Sequence, residues 1–480
     1  MLNKLKNISD ESKSAFAYLL TTVISRGLAV ITVPIFTRLM SSAQIGIVSI
    51  FNSWYSILST ITTVGLLSGG LTMALQKYAN EKDRYLSSVL TLTSISAGVF
   101  AVIFALFHSP IEKIIDLPTN LIILMIIGFV VAPARDFWLL RQRFEFKYKL
   151  SSFVMIISSV LATIFSVVVV IYLSNAGLDD RLAEGRLWTN YLVLLSIAAI
   201  IWVYLFAKGR TFYNKEFWSY SLKLSLPLVG YSFAAQILSV SDRIMIGKMV
   251  GNSAAGIYGT LYSVGTLSLM IWTAINGSYS PFLYQHIEKD DAHVKKVTKQ
   301  ILILFGALSC LVSFLAPEIV RILATKEYYQ GIYILPPIAA GVFLTAASNI
   351  YSDILIYVGK TKYIMYGGCI AAGLNLLLNY VFIKEYGYMA AAYTTMISYI
   401  VLTLLMTLWA NKIYGRDKVN SVLGNKNVFV ISVIGIAFMM LGLFLYRFYI
   451  IRYAIIVVIT ILVWRLYKKS ELKIKTIDKE

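Results

Sequence analysis

Fourteen apolar stretches fill nearly the whole chain, and only short loops separate them. A helix crosses the ~30 Å hydrocarbon core of a bilayer with about 20 apolar residues, and most of these stretches are close to that length. Backbone polar groups find no water inside a bilayer, so a spanning segment is either a helix or part of a closed barrel. The alternating segments of about ten residues that build a membrane barrel are absent. The sequence therefore predicts an all-α polytopic membrane protein.

The composition agrees with this prediction. Hydrophobic residues make up 58% of the 480 residues and charged residues only 14%, which is too apolar for a soluble protein of this length. The predicted spans cover residues 14–37, 44–68, 85–108, 119–140, 150–173, 187–207, 220–243, 255–280, 299–316, 331–357, 362–383, 388–411, 427–446 and 448–466.

The uneven distribution of Lys and Arg over the loops predicts the orientation. If the N-terminus is cytoplasmic, 30 of the 43 Lys and Arg residues fall on the cytoplasmic side, 11 on the other side, and two, Arg26 and Arg135, inside spans. Cytoplasmic loops of membrane proteins carry the excess of positive charge, so we expect both termini in the cytoplasm. The N-terminal segment lacks a small-residue cleavage site after its apolar core, which is typical of a retained first helix.

Several classes of function are not expected from this sequence. The net charge of +19 is spread over eight short loops and tails, which suits an anionic membrane surface rather than a nucleic acid. Cys310 and Cys369 both lie in predicted spans, so we expect no disulfide framework. No His, Cys and carboxylate cluster has metal-ligand spacing, and no glycine-rich loop followed by Lys could hold ATP phosphates. We therefore predict neither an enzyme nor a cofactor.

A weak internal repeat at an offset of 210 residues predicts the domain organisation. Residues 38–47 (RLMSSAQIGI) correspond to residues 248–257 (KMVGNSAAGI), and each copy follows one span and begins the next. This pattern predicts two six-helix bundles, residues 1–212 and 213–412, followed by two more spans and a basic cytoplasmic tail in residues 413–480. Parallel repeats of this kind are typical of transporters, whose substrate site lies between the halves.

Charged residues inside spans are the first candidates for function, because each costs about 2.5–3.5 kcal/mol on insertion scales. Arg26 lies about midway along the first span, and Tyr18, Thr22 and Arg26 at intervals of four residues share one helix face. Arg26 is therefore either an anion-binding residue in a wet cavity or a member of a structural ion pair.

Two spans contain carboxylates. Asp353 forms a polar stripe with Asn349 and Tyr357, and it is either a site for a coupling cation or proton, or a helix-capping or Arg-pairing residue. Arg135 and Asp136 are adjacent in the fourth span. We consider Arg135 for substrate binding, with interfacial anchoring by a snorkelling side chain as the alternative, and Asp136 for ion coupling.

Other polar side chains have a structural reading beside the functional one. Arg243 and Lys248 at the end of the seventh span are candidates for substrate binding, although a structural pair of Asp242 with Arg243 is the alternative. Asn375 and Asn379, one turn apart, are expected to join helices by hydrogen bonds. The side chains Tyr231, Tyr262 and Tyr279 either stack on sugar rings or pack in the core.

Several motifs occur in a recognisable order. They are residues 25–27 (SRG), 38–46, 141–146 (RQRFEF), 241–248 (SDRIMIGK) with 255–258 (AGIY), 359–362 (GKTK), and 375–380 (NLLLNY) with 386–392 (YGYMAAA). In this order they resemble the polysaccharide-transporter branch of the multidrug/oligosaccharidyl-lipid/polysaccharide flippase superfamily, the Wzx-type O-antigen flippases. The resemblance covers essentially the whole chain.

The resemblance implies alternating access in the bacterial inner membrane, with polyprenyl-diphosphate-linked oligosaccharide as the substrate. It also implies a coupling cation or proton, surrounding membrane lipids, and contact with the machinery that polymerises the glycan. The basic residues Arg26, Arg135 and Lys248 would then offer charge-assisted hydrogen bonds to a diphosphate or to acidic sugars.

Two other classes of function remain open at this point. One is a different substrate in the same superfamily, either a peptidoglycan precursor or a drug exchanged for a cation. The other is a membrane polymerase or ligase acting on the same glycans, which usually needs a long outer loop that this chain lacks.

Overall fold

The structure is a computed structural model that describes residues 10–68 and 70–477. In those residues the chain forms nineteen α-helices and no β-strand. The prediction of an all-α fold is therefore confirmed.

The helices pack as two compact units that divide between Gly256 and Ile257. The first unit contains α1 (Asp10–Leu39), α2 (Ser42–Thr62), α3 (Gly70–Lys77), α4 (Lys82–Leu106), α5 (His108–Ile115), α6 (Thr119–Phe144), α7 (Tyr148–Asn175), α8 (Leu182–Gly209) and α9 (Lys215–Met249), and the division falls within α10 (Asn252–Gly265). The second unit contains α11 (Ser268–His286), α12 (Asp291–Phe314), α13 (Ala316–Leu323), α14 (Leu335–Tyr357), α15 (Lys362–Tyr386), α16 (Tyr388–Tyr414), α17 (Arg416–Val422), α18 (Asn425–Leu445) and α19 (Tyr449–Ile477).

Each predicted span coincides with one long helix, except that the eighth coincides with the pair α10 and α11. Among the described residues, eleven helices are long and apolar enough to cross a membrane, and the pair α10–α11, bent by 41° at its break, makes twelve. The two other predicted spans fall on α9 and α19, outside this count. The chain is therefore a multi-pass membrane protein.

The second span differs from its prediction. We expected one helix to residue 68, but α2 ends at Thr62 and a turn with positive φ at Val64 and Gly65 follows. The start of α2 follows the usual rule, because Ser41 and Gln44 form a reciprocal capping box.

The boundary between the two packing units also differs from the boundary that the repeat predicts. Helix α9 begins at Lys215, in the predicted second bundle, yet it packs against α2, α3 and α4 of the first unit. The order of elements nevertheless repeats, since a long helix, a short helix and three long helices occur in both α4–α8 and α12–α16. The division into bundles of residues 1–212 and 213–412 is thus still a prediction from the sequence repeat.

Helix α14 lies at the centre of the second unit. It packs against α12, α16 and α18, and 18 of its 23 residues are buried. Within the same unit, Arg452 on α19 forms an ion pair with Glu318 on α13. The Tyr453 hydroxyl donates a 2.7 Å hydrogen bond to the same carboxylate.

Charged residues tie together the ends of α4, α6 and α8 in the first unit. Arg141 pairs with both Asp83 and Glu145, and Lys208 on α8 lies 3.6 Å from the Asp83 carboxylate. Burial favours a higher pKa for the Glu145 carboxyl, but hydrogen bonds from Lys147 and Arg141 and their positive charges outweigh it and lower this pKa to about 2. Glu145 therefore keeps its charge at any physiological pH.

The two copies of the repeated motif contact each other directly. A Cβ added to Gly256 on α10 would overlap the carbonyl oxygen of Ser42 and lie 2.8 Å from the backbone nitrogen of Gly46 on α2. A Cβ added to Gly46 would likewise overlap the carbonyl oxygen of Asn252. The hydroxyl oxygens of Ser42 and Ser253 are 2.7 Å apart. Glycine is required here because the two backbones approach more closely than any side chain allows.

The glycine contact predicts a clear effect of one methyl group. We expect Gly256→Ala to lower the free energy of unfolding by about 1–3 kcal/mol, because the added methyl group overpacks the contact. The matched control is Gly98→Ala on α4, where a Cβ meets nothing within 4 Å. This control should gain about 0.5–1 kcal/mol from helix propensity. Thermal unfolding in detergent compares them, and equal melting temperatures for the two variants would contradict the contact.

Candidate functional site

A cavity of about 360 Å³ lies between α2, α6 and α9 in the first unit. Small-molecule sites in proteins usually have about 300–1,000 Å³, so the volume suits a ligand of a few rings at most. We call it the α2–α6–α9 cavity. All of its lining residues precede Gly256.

One wall of the α2–α6–α9 cavity consists of hydroxyl groups. Ser59, Thr60, Thr62 and Thr63, at the end of α2, line it side by side. Each hydroxyl donates its proton to a backbone carbonyl of the preceding turn, at donor–acceptor distances between 2.7 and 3.3 Å. The hydroxyl oxygens keep lone pairs that can accept hydrogen bonds from a ligand.

The turn that ends α2 brings this wall to the cavity. Val64 has φ of 52° and Gly65 has φ of 63°. A β-branched residue rarely adopts a positive φ, and surrounding packing must hold it there. At Gly65 an added Cβ would lie 2.7 Å from Cγ2 of Val229 on α9, so glycine alone fits. The break thus ends the helix at the cavity instead of carrying it past.

Arg135 and Asp136 line the opposite side on α6, where they bind each other. Nε and Nη2 of Arg135 donate to Oδ1 of Asp136 at 3.1 and 2.9 Å. The side chains are 26% and 35% exposed. Since α6 continues to Phe144, Arg135 lies about 13 Å from the helix end at a rise of about 1.5 Å per residue. Arg135 thus lines the cavity, and substrate binding and interfacial anchoring both stay predictions for it.

Aromatic rings complete the cavity. Tyr55 and Phe129 line it, with ring centroids 5.2 Å apart and an angle of 26° between the ring planes. Tyr191 on α8 meets Tyr55 edge to face at 5.1 Å. The Tyr55 ring lies over Gly128, where an added Cβ would come within 2.7 Å of Cε2. A flat aromatic surface therefore lies beside the polar groups.

Sequence reasoning found Arg135 and Asp136 but missed the hydroxyl wall and Tyr55. The only signal for the wall was the run of Ser and Thr at residues 59–63 in an apolar span. Such hydroxyls usually bond to their own helix, as these also do, so the run by itself did not indicate a cavity.

The other basic candidates lie elsewhere. Nη1 of Arg243 donates to the carbonyl oxygen of Ser239 at 2.9 Å, and Lys248 is exposed near the end of α9. Neither residue lines the α2–α6–α9 cavity. Arg26 lies on α1, but its side chain, like that of Tyr231, falls outside the described part of the structure. The roles predicted for these basic residues stay predictions.

Asp353 occupies a separate polar site in the second unit. It lies in the last turns of α14 and is only 5% exposed. Its carboxylate accepts hydrogen bonds from Ser280 Oγ at 2.8 Å and from the Tyr284 hydroxyl at 3.3 Å, both on α11. Within the described ranges no Lys or Arg forms an ion pair with it, so the predicted Arg-pairing role finds no support.

The remaining polar candidates have structural contacts. Nδ2 of Asn375 donates to Thr395 at 3.1 Å, and Thr394 donates to Asn379, so this pair joins α15 to α16 as predicted. Tyr279 is 2% exposed and shares a 2.7 Å hydrogen bond with Thr298. Tyr262 is 8% exposed. Both tyrosines follow the core-packing alternative.

Comparison with solved structures identifies the fold. The inward closed conformation of the lipid II flippase MurJ aligns with a TM-score of 0.69 at 17% identity, over 94% of this chain and 99% of that chain. An inward-facing multidrug resistance MATE family transporter aligns with a TM-score of 0.63 at 12% identity, over 84% and 98% of the two chains. A superfamily transporter from Pyrococcus furiosus aligns with a TM-score of 0.52 at 14% identity, over 84% and 96%.

Sequence comparison identifies the family. The uncharacterized membrane protein MJ1068 of Methanocaldococcus jannaschii is 23% identical over 445 residues, which cover 84% of each chain. The MatE family model matches residues 227–381. The model of the family described as polysaccharide biosynthesis protein matches residues 12–286, more than half of the chain. The chain therefore belongs to the polysaccharide biosynthesis protein family, within the multidrug/oligosaccharidyl-lipid/polysaccharide flippase superfamily of membrane transporters.

Proposed function

We propose that this protein is a flippase that moves a polyprenyl-diphosphate-linked oligosaccharide repeat unit, such as an O-antigen unit, across the bacterial inner membrane. The observation that carries the proposal is a cavity of about 360 Å³, lined by hydroxyl groups and one Arg–Asp pair, among the helices of a multi-pass protein of the polysaccharide biosynthesis family. A cavity of this kind gives the polar part of an amphipathic substrate a place apart from lipid. Both termini lie in the cytoplasm in this proposal, and transport needs no catalytic residue.

The basic residues contact the substrate in this proposal. Arg135 does so from the α2–α6–α9 cavity. Arg26, Arg243 and Lys248 supply positive charge along the path of the diphosphate, where guanidinium groups can bind phosphate oxygens in pairs. The lipid tail stays in the bilayer, and the glycan polymerase machinery receives the product.

Alternating access requires that the two copies of the repeated motif separate and rejoin. In the structure α2 and α10 are in contact through Gly46 and Gly256. This contact consists of backbone atoms and the hydroxyl pair of Ser42 and Ser253, so its separation would not unpack large side chains.

A second candidate function is export of a peptidoglycan precursor. The observation that favours it is the alignment with the lipid II flippase MurJ, at a TM-score of 0.69. A drug or cation antiporter is a weaker alternative, because the α2–α6–α9 cavity pairs its one Asp with Arg135. The substrates of all three functions differ in mass, so one experiment separates them.

Deleting the gene should cause one lipid-linked glycan to accumulate. We expect a complete, unpolymerised repeat unit on polyprenyl diphosphate, located on the cytoplasmic face, and measured by mass spectrometry of host membranes. Restoring the gene should remove it. Accumulation of the peptidoglycan precursor would establish the second candidate instead. Accumulation on the outer face would indicate a polymerase or ligase, and an unchanged set of lipid-linked glycans would exclude a flippase of either kind.

A reversible cross-link should stop transport. In Ser42→Cys/Ser253→Cys the two sulfurs replace hydroxyl oxygens that are 2.7 Å apart, so oxidation should join α2 to α10. We expect glycan export to stop on oxidation and to return with reductant. The single variants Ser42→Cys and Ser253→Cys are the controls, since each keeps the natural Cys310 and Cys369 but cannot form this bond. Full export by the oxidised double variant would rule out separation of this contact during transport.

Ion coupling is the remaining part of the proposal. Asp353 is the favoured site, since it is buried and, among the described residues, accepts hydrogen bonds from hydroxyl groups alone, whereas a cation at Asp136 must compete with Arg135. Asp353→Asn keeps the shape of the side chain but removes its negative charge, so we expect export to lose its dependence on the ion gradient. Asp417→Asn, at an exposed position, is the control. Sensitivity to ionophores that is the same in Asp353→Asn and the wild type would exclude this role.

A further inference from the structure

We infer that the α2–α6–α9 cavity binds an uncharged, hydroxyl-bearing sugar unit of the substrate and not its diphosphate. This inference rests on the proposed function and specifies which part of the substrate the cavity receives. It follows from the charge of the wall, from the direction of its hydrogen bonds and from its aromatic surface.

The charge of the cavity wall is balanced. Among its lining residues the charged side chains are Arg135 and Asp136, one of each sign. Two hydrogen bonds join them, at 2.9 and 3.1 Å. A diphosphate would need an excess of positive charge to replace its hydration, and the bound carboxylate would repel it. A neutral ligand meets neither obstacle.

Five hydrogen-bonding groups of the wall can only accept from a ligand. Ser59, Thr60, Thr62 and Thr63 donate their protons to backbone carbonyls. Their oxygens, and the carboxylate of Asp136, therefore keep only acceptor sites. Phosphate oxygens also only accept, so none of these five groups can bind them, and the donors of the lining are at other residues such as Arg135, Tyr55 and Gln236. Sugar hydroxyl groups donate, and they fit this wall.

The aromatic surface also fits a sugar. The Tyr55 and Phe129 rings line the cavity beside the polar groups. The C–H face of a sugar ring is apolar, so burying it against an aromatic ring removes apolar surface from water. One wall that accepts hydrogen bonds and one that is flat and apolar together match the two kinds of surface on a pyranose.

The charge balance can be measured at one engineered thiol. Ala132 lines the cavity on α6 one turn before Asp136, and Ala132→Cys in a Cys369→Ser background places a thiol there. The probes are sulfonatoethyl, trimethylammonioethyl and methyl methanethiosulfonate, which are anionic, cationic and neutral. Rates are divided by those of a free small thiol. We expect similar ratios for the two charged reagents in this background.

Removing one charge from the cavity wall should change the ratio of the labelling rates of the anionic and cationic reagents. Asp136→Asn leaves Arg135 unbalanced, so labelling by the anionic reagent should rise at least about tenfold relative to the cationic one, which is the value for a separation of about 6 Å at a water-like dielectric constant of about 80. The matched control Arg135→Gln/Asp136→Asn is neutral again and should return to the starting ratio. An anionic preference of about tenfold before any change at Asp136 would overturn the inference. Failure of all three reagents to react would overturn it too, because a cavity closed to them admits no sugar.

Protection experiments test the ligand class directly. N-acetylglucosamine should slow labelling of Ala132→Cys more than glucuronic acid or inorganic pyrophosphate at equal concentration. Asp136→Asn should reverse this order in favour of the two anions. Stronger protection by pyrophosphate in the unchanged cavity would assign the cavity to the diphosphate. These measurements involve no translocation, so they can succeed even if gene deletion leaves every lipid-linked glycan unchanged, in which case only the proposed function fails.

Discussion

The absence of water from the hydrocarbon core governs this structure. Every backbone polar group there must be paired within its own helix, which makes the whole fold helical. Polar side chains must find a partner or a cavity. Arg135 and Asp136 bind each other, Asp353 is held by two hydroxyl groups, and Asn375 and Asn379 join neighbouring helices. The positions of the polar groups thus show where the chain departs from simple helix packing.

Two kinds of contact hold α2 in place, and they differ in what they permit. Near its start, Gly46 meets the backbone of α10 in a contact without a large side chain. At its end the helix stops in a turn at Val64 and Gly65, which packs against Val229 of α9. In the proposed transport cycle α2 would separate from α10 at the first contact and keep the second, which carries the cavity wall.

The two candidate carboxylates have opposite surroundings. Asp136 lines a cavity, and its negative charge is balanced by a salt bridge with Arg135. Asp353 lies in the most buried of the candidate spans, and its hydrogen-bond donors in the described part of the chain are two hydroxyl groups. The first arrangement suits recognition of a neutral polar ligand, and the second suits uptake of a cation or proton. The proposals for recognition and for coupling therefore concern different units of the chain.

The sequence by itself determined the membrane helices, their positions and the family, because apolar length, the distribution of Lys and Arg, and ordered motifs are local properties. It also singled out Arg135, Asp136 and Asp353, since a charge in a span is visible without any structure. Only the tertiary structure decided that Arg135 binds Asp136, that four hydroxyls form a wall, and that Gly46 meets Gly256. These features depend on how each helix is rotated about its axis and on which helices meet. The sequence of a helix that is apolar on every face has no periodic pattern, so it predicts neither the rotation of the helix nor its neighbours.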